Sequence, residues 1–423
     1  MSRYECAADG RSAGGETGKG RAGEVLKVGD CVQILIGDVA FGGDGVGRIS
    51  DLVLFVPFTV DGDEAEVEIT EVKKRYARGR LVRTLTPSVH RAAPPCPYYV
   101  RCGGCRMQHI TYAHQLEIKR RQVGQTLRRI AKLSPPNVAP VVPSPLPYGY
   151  RGKAEFHLEE GRGGRRLGLM ALATNDIVEV ERCGICDDSI SRKLGELRAR
   201  LVRGDVCGEG DRQIIWSDEL GDPPVGVATG CGKAPDVTRI VRGKRLTVPY
   251  RGFFQANIVL VEQLVDQVVG MCALSGGEAV IDAYGGAGLF SLFLGGRAGR
   301  LFGIEGDREA VRCAGINLRR EGLGQAEFFQ GDVADVLDRE FLRREMKVDV
   351  IVLDPPRDGC GREVIEKAAA IGPERIVYVS CNPATQARDI RDLSERGYAL
   401  SRLRPLDMFP QTAHIEVIAL LTR

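Results

Sequence analysis

From Gly277 to the C-terminus the chain carries seven short runs rich in β-branched and aromatic residues. They are Ala279-Val280-Ile281-Asp282, Leu301-Phe302-Gly303-Ile304, Ala326-Glu327-Phe328-Phe329, Val350-Ile351-Val352-Leu353, Ile376-Val377-Tyr378-Val379, Ala399 to Leu403 and Ile415 to Leu421. Helix-compatible segments separate the first five. Short, nearly continuous apolar strands of this kind need cover on both faces, and a doubly wound parallel sheet supplies it. The last two runs have no convincing helix between them, which suits an antiparallel end to the sheet. Open α/β sheets bind ligands beyond the carboxyl ends of their strands, near the point where strand order reverses. Residues just past those ends are therefore the first candidates for chemistry.

Asp282 closes the first run, and Gly285-Gly286-Ala287-Gly288 follows, small enough for a ligand to lie against backbone at a helix start. Glu305 closes the second, where a carboxylate can accept both hydroxyls of a ribose. Asp332 closes the third and could meet an adenine amino group. Gly286, Gly288 and Ser291 nearly spell a dinucleotide fingerprint, so this loop alone leaves a dehydrogenase open. A dehydrogenase has no need of Asp354-Pro355-Pro356-Arg357 and Ser380-Cys381-Asn382-Pro383 after the fourth and fifth runs. With them, the region resembles the S-adenosylmethionine site of a Rossmann-like methyltransferase fold.

A buried core thiol is the usual fate of a lone cysteine. Around Cys381, however, Ser380, Asn382 and Pro383 mark a polar loop at a strand end. A thiol in that place can serve as a nucleophile. One reaction that needs such a thiol is methylation of uracil carbon-5, a poor nucleophile while two ring carbonyls share its electrons. Thiolate addition at carbon-6 makes an enolate whose carbon-5 can take a methyl group. A base must then remove the carbon-5 proton so that the thiolate leaves.

The rest of the 423 residues reads as two further regions, with domains expected at 27–87, 88–250 and 251–423 after a disordered, Gly- and Arg-rich tail at 1–26. Val32 to Ile36, Leu52 to Val56, Ala65 to Ile69 and Arg80 to Leu85 are short strands with glycine turns, a small barrel. Their order, with the phrase from Gly42 to Ile49, resembles a TRAM domain, an OB-like RNA-binding barrel. Net charge is only +3, but from Val72 to Leu116 there is no acid among nine Lys and Arg residues. Such a stretch suits a polyanionic partner, or else a solvated basic face. A helix is expected at 108–132, with Leu116, Val123, Leu127 and Ile130 on one face and Lys119, Arg120, Arg128 and Arg129 around the others. Prolines 135, 136, 140, 143, 145 and 147 read as a stiff linker, and 150–249 as strand-rich.

Thirteen cysteines without a secretory leader or an apolar membrane run fit a reducing cytoplasm and thiols used for metal or catalysis. Cys96, Cys102 and Cys105, spaced C-x5-C-x2-C, would hold an iron–sulfur centre or a zinc equally well by ligand count. Cys183 and Cys186 compete for the fourth place. A radical S-adenosylmethionine enzyme would space its thiols C-x3-C-x2-C instead.

Phe253-Phe254-Gln255-Ala256-Asn257, the glycine loop, Asp354 to Arg357, Tyr378 to Thr385, and Asp407-Met408-Phe409-Pro410 with His414-Ile415-Glu416 together carry a wider resemblance. The chain resembles the RNA uracil-5 methyltransferases that bear an N-terminal TRAM domain and an iron–sulfur cluster. The resemblance implies Cys381 as nucleophile, Glu416 as base, and Gln255, Tyr284, Glu305, Asp332 and Asp354 around S-adenosylmethionine. It also implies a 4Fe–4S cluster on Cys96, Cys102, Cys105 and Cys183. The helix at 108–132 would pack on the catalytic domain, and the substrate would be RNA, large-subunit (23S) ribosomal RNA above all, with no membrane or obligate protein partner. Gly285 stands where the family usually has Cys, and Leu289 where a polar residue is common. Those departures leave room for an inactive RNA-binding or assembly factor. Methylation of another base, of an exocyclic amine, or of a transfer RNA are further alternatives.

Overall fold

A computed structural model describes residues 26–134, 138–161, 164–203, 212–219, 225–229 and 236–423. The expected tail, up to residue 25, and Pro135 and Pro136 of the expected linker lie outside the described residues. The chain forms two compact units, one reaching to Val89 apart from 41–43, the other comprising 41–43 and 90–423. No helix among the described residues is long and apolar enough to cross a membrane.

The first unit is a closed barrel of β1 (Cys31–Val39), β2 (Asp44–Ile49), β3 (Leu52–Pro57), β4 (Glu64–Val72) and β5 (Tyr76–Thr86), in the order β1-β2-β3-β5-β4. Alternation along the strands sends Ile34, Ile36, Leu54, Val56, Val67 and Ile69 inward. Gly79 faces Val67 so closely that a Cβ there would sit 2.2 Å from its Cγ1, so only glycine lets β5 cross at that point. Of the phrase from Gly42 to Ile49, residues 44–49 form strand β2. The basic stretch is also less one-signed than its sequence suggests. β4 pairs antiparallel with β5, so Glu66 meets Arg83 at 2.6 Å, Glu68 meets Arg80, and Glu71 lies 3.6 Å from Arg78. The acids that neutralise these arginines come from the preceding strand.

In the second unit, α1 (Tyr112–Thr126) continues as one π-helical turn, Leu127–Ala131. β6 (Lys153–Gly161), β7 (Gly164–Met170), β8 (Ile177–Glu179), β9 (Arg212–Ser217) and β10 (Val225–Thr229) form an antiparallel sheet in the order β10-β9-β6-β7-β8. α2 (Asp188–Val202) covers it with Ile190, Leu194 and Leu197. Strand-rich surroundings hid this helix, although Asp187 caps it by accepting from Ser189 N at 2.9 Å and its leucines recur at helical spacing. A hairpin of β11 (Val237–Val241) and β12 (Lys244–Val248) follows, then α3 (Val261–Cys272).

The large sheet comprises β13 (Ala279–Ala283), β14 (Arg300–Glu305), β15 (Glu327–Gln330), β16 (Val350–Leu353), β17 (Arg375–Ser380), β18 (Ala399–Leu406) and β19 (Glu416–Thr422). Between them lie α4 (Leu289–Leu294), α5 (Arg308–Arg320), α6 (Val333–Val336), α7 (Gly361–Ile371) and α8 (Pro383–Ser394). Strand order is β15-β14-β13-β16-β17-β19-β18, parallel as far as β17 and antiparallel at β19 and β18. The methyltransferase fold expected from the seven runs is present. One face packs Ile281, Phe302, Ile351 and Ile376, the other Val280, Val350, Val352 and Val377, so these strands are buried on both sides. Strand order reverses between β13 and β16, which places the ligand crevice at their carboxyl ends.

α1 belongs to this domain in space. Val123 and Leu127 join the first face of the sheet, and Leu116 and Ile130 pack against it. Lys119, expected on an outer face, is instead fully buried and donates to Asp407 Oδ1 at 2.6 Å and to the Phe409 carbonyl at 3.1 Å. The proline-rich segment is more than a spacer. Val142 bridges to the outer strand β18, donating to Pro405 O at 2.9 Å and accepting from Asp407 N at 2.9 Å, which covers a sheet edge.

Candidate active site

The crevice begins at Asp282. Its Oδ2 accepts from Ser291 N at 2.9 Å and Ser291 Oγ at 2.5 Å, while Oδ1 is buried without a partner. Burial pushes this carboxyl up to about 6 against the pull of the two serine hydrogen bonds. Tyr284, Gly286 and Gly288 then take positive φ values of 63°, 55° and 86°. For a tyrosine that geometry is strained by about 1–3 kcal/mol, held here by its side chain packing on the core. The Gly286 amide donates to Glu305 Oε2 at 2.9 Å, and Glu305 Oε1 accepts from Asp307 N at 2.8 Å. Glu305 thus ties the glycine loop to the start of α5 while retaining lone pairs on both oxygens. Asp332 caps α6, its Oδ1 accepting from Ala334 N at 2.8 Å and Asp335 N at 3.3 Å. Gln255, buried, reaches from the segment before α3 to Asp354 Oδ2 at 3.5 Å. All five expected cofactor residues stand around the carboxyl ends of β13 to β16. Leu289, the departure at α4, is buried in the core below them.

The second half lies across β17 and β19. Ser380 pairs with Val417, so the next pair outward sets Cys381 against Glu416. Architecture alone explains Asn382 and Pro383. Asn382 caps α8 by accepting from Ala384 N at 3.1 Å, and Pro383 occupies its first turn. Nothing in the cap calls for a half-buried thiol at 381. Burial pushes that thiol up to about 11, Glu416 and Asp354 push the same way, and Arg357, in hydrogen-bonding reach, opposes them. Glu416 is buried, and its carboxyl is held well above the ordinary range by loss of water and then by the neighbouring Asp354. Asp354 is raised by desolvation and by Asp282. Three carboxyls and a thiol share this crevice.

Two loops are braced from behind. Asn382 Nδ2 and Thr385 Oγ1 donate to the Arg357 carbonyl at 3.0 and 3.1 Å, and Cys360 N donates to the buried Asp389 at 2.9 Å. This holds the Asp354–Arg357 turn against α8. The loop before Glu416 is clamped by α1 through the Lys119–Asp407 pair, and Gln115 donates to Gln411 Oε1 at 3.0 Å while accepting from Gln411 N at 3.1 Å. His414 sits among Arg357, Lys119 and Arg151, and burial followed by those cations lowers it to about 4. Sequence reasoning placed Arg357 and His414 inside motifs without giving them roles, and it missed Asp389 and the buried side of Lys119. Only Arg357 had a local signal, its place in the turn after a strand end.

The cysteines gather elsewhere in the second unit. Cys96, Cys102, Cys105, Cys183 and Cys186 line one cavity of about 380 Å³ with Tyr98, Arg151 and Met170. The Cys186 thiol donates to Cys183, and Cys183 is drawn down to about 6, chiefly by that bond. No group of three or more His, Cys, Asp or Glu among the described residues forms a ready metal-holding set.

Residues 240–423 match the family model described as tRNA (uracil-5-)-methyltransferase, and residues 25–82 match the TRAM domain. An uncharacterized RNA methyltransferase of Bacillus cereus is 33% identical over 444 residues, covering 93% of this chain and 96% of its own. Another, from Caldanaerobacter subterraneus, is 34% identical over 452 residues, covering 94% and 99%. Among solved structures, the Pyrococcus abyssi tRNA (uracil-54, C5)-methyltransferase in complex with S-adenosyl-L-homocysteine has a TM-score of 0.73 at 24% identity, over 92% of this chain and 99% of that one. That likeness speaks to the fold.

Proposed function

This chain belongs to the RNA (uracil-5-)-methyltransferases, which draw the methyl group from S-adenosylmethionine, and from that membership we propose the roles of its residues and its RNA. Cys381 adds to carbon-6 of a uracil lifted from its stack, Arg357 favouring the thiolate. Carbon-5 of the resulting enolate takes the methyl from the sulfonium, whose bonding pair stays on sulfur. Glu416 then receives the carbon-5 proton, the carbon–sulfur bond breaks, and the pair returns to Cys381. Gln255, Tyr284, Glu305, Asp332 and Asp354 hold the donor. The observation that carries this reading is the opposition of Cys381 and Glu416 across β17 and β19 at the donor crevice.

A Cys381→Ala enzyme should bind RNA and donor yet form no 5-methyluridine by nucleoside mass spectrometry. Retained product would point to an exocyclic amine, which needs no thiolate. Glu416→Gln should lose about 10²–10⁴-fold in kcat and accumulate a protein–RNA adduct that resists denaturing electrophoresis. An inactive scaffold would show neither effect.

The RNA is ribosomal in this reading, from the large subunit, by analogy with the family that carries both a TRAM domain and a cysteine cluster. Transfer RNA is the second reading, favoured by the family model's own description. Nucleoside analysis of both RNA pools from cells lacking the protein distinguishes them. The thiols Cys96, Cys102, Cys105 and Cys183 suit an iron–sulfur cluster, since all four line one cavity and Cys102 and Cys105 feel both of the others electrostatically. Cys96, Cys102 and Cys105 would hold such a cluster together with Cys183, and it would serve there as a tie between the two segments. Iron and sulfide in anaerobically purified protein would support it; zinc without sulfide would replace it.

A further inference from the structure

The crevice contains more buried carboxyl than its own cations can balance. Asp282 comes from β13, Asp354 from the end of β16 and Glu416 from β19, three strand ends within one stretch of sheet. Asp282 and Glu416 are almost fully buried, and Asp282 Oδ1 has no hydrogen-bond partner. Asp354 bears on Glu416, and Glu416 on Cys381 at the end of β17, while Arg357 from the turn after β16 bears on Cys381 and on His414, two residues before Glu416. Asp354 faces Asp282 and receives Gln255 Nε2. Asp282 interacts with Ser291 from α4, with Glu305 from β14 and with Cys272 of α3. What bears on Asp354 and Glu416 is loss of water and a neighbouring acid; Arg357 bears on Cys381, and His414 is held neutral.

Three carboxylates cannot all ionise in such a place without a compensating cation, so the empty crevice keeps protons. The methyl donor supplies that cation, because its sulfonium carries one positive charge more than the thioether product. Resting on the proposed uracil-5 methyltransferase function, we propose that the Asp282–Asp354–Glu416 cluster couples donor binding to proton release, which lets the site tell donor from product by charge. The same coupling times the base. While the sulfonium is present it stabilises ionised Glu416 and lowers its basicity. Methyl transfer breaks the sulfur–carbon bond, the pair stays on sulfur and the cation vanishes. Glu416 becomes more basic just as the carbon-5 proton has to leave. That proton moves to the carboxylate, and its bonding pair forms the enolate that expels the Cys381 thiolate.

Binding that releases protons strengthens as pH rises, and levels off once the free crevice has already lost them. Asp282 alone titrates near about 6, and Asp354 and Glu416 are raised as well, so the window opens around neutrality. Calorimetric titration of the full-length protein with S-adenosylmethionine and with S-adenosylhomocysteine, each in buffers of different ionisation enthalpy, counts the protons. The donor should release on the order of half a proton more than the product, and its affinity should climb roughly 3- to 10-fold per unit between about pH 6 and 8 while the product's stays flatter. Asp354→Asn should flatten the donor's dependence. If that variant no longer binds, the wild-type comparison of donor with product still decides. Equal proton counts for the two nucleosides would overturn the coupling and leave the methyltransferase reading intact. Binding of neither would sink that reading itself.

Discussion

The half-buried Cys381 thiol is held toward its protonated form by burial and two neighbouring acids, with Arg357 pulling the other way. Since its titration lies near about 11, the thiolate fraction grows with pH throughout the neutral range. Alkylation of the peptide containing Cys381 by iodoacetamide should therefore accelerate roughly tenfold per unit between about pH 7 and 10, read by mass spectrometry. A rate already flat at neutral pH would mean that Arg357 dominates. The neighbours of Cys381 are explained by other duties, since Asn382 caps α8 and Pro383 starts it. This is why the tetrapeptide was readable. Once the helix start accounts for its polar members, the cysteine remains as the residue without an architectural reason. Glu416 had no such signal, because an acid at the first position of a strand looks ordinary until its pairing partner is known. Its environment comes from Asp354, 62 residues earlier in the chain.

Among elements, α1 does most to hold the site from a distance. It lies between the cysteine stretch and the proline segment, yet its Lys119 and Gln115 grip the 407–411 loop that leads to Glu416. Both partners of the Lys119–Asp407 pair are fully buried, so removing Lys119 leaves a buried carboxylate without its cation. Lys119→Met should cost about 3–5 kcal/mol in urea denaturation, and Lys119→Met with Asp407→Leu considerably less, because the double change also removes the stranded charge. A pair of equal losses would show packing rather than charge at work. The hydrophobic positions of α1 were legible from their spacing. The inward turn of Lys119 was not, since a helix sequence shows which residues share a face but not whether a buried acid waits opposite. α2 was missed for a local reason: it was absorbed into strand-rich surroundings.

At the scale of the whole molecule, the charge that meets RNA differs from the charge counted along the chain. Arg78, Arg80 and Arg83 are paired with Glu71, Glu68 and Glu66, whereas Lys74 and Arg75, exposed between β4 and β5, have no ion pair among the described residues. Replacing Lys74 and Arg75 with Gln should weaken RNA binding and flatten the slope of log Kd against log salt by about one for each phosphate left without its cation. Arg83→Gln should move that slope little. The opposite ranking, measured by filter binding across salt concentrations, would return the paired arginines to the interface. Order along the chain determined the seven strand runs, the glycine loop, the cysteine spacing and the barrel's alternation, because each depends on neighbours a few residues away. Tertiary structure decided what long-range pairing controls: Glu416 beside Cys381, α1 on the 407–411 loop, acids against the basic strand, and three carboxyls in one crevice. Burial and charge compensation are set by groups distant in sequence, so they take their values only when the sheet closes.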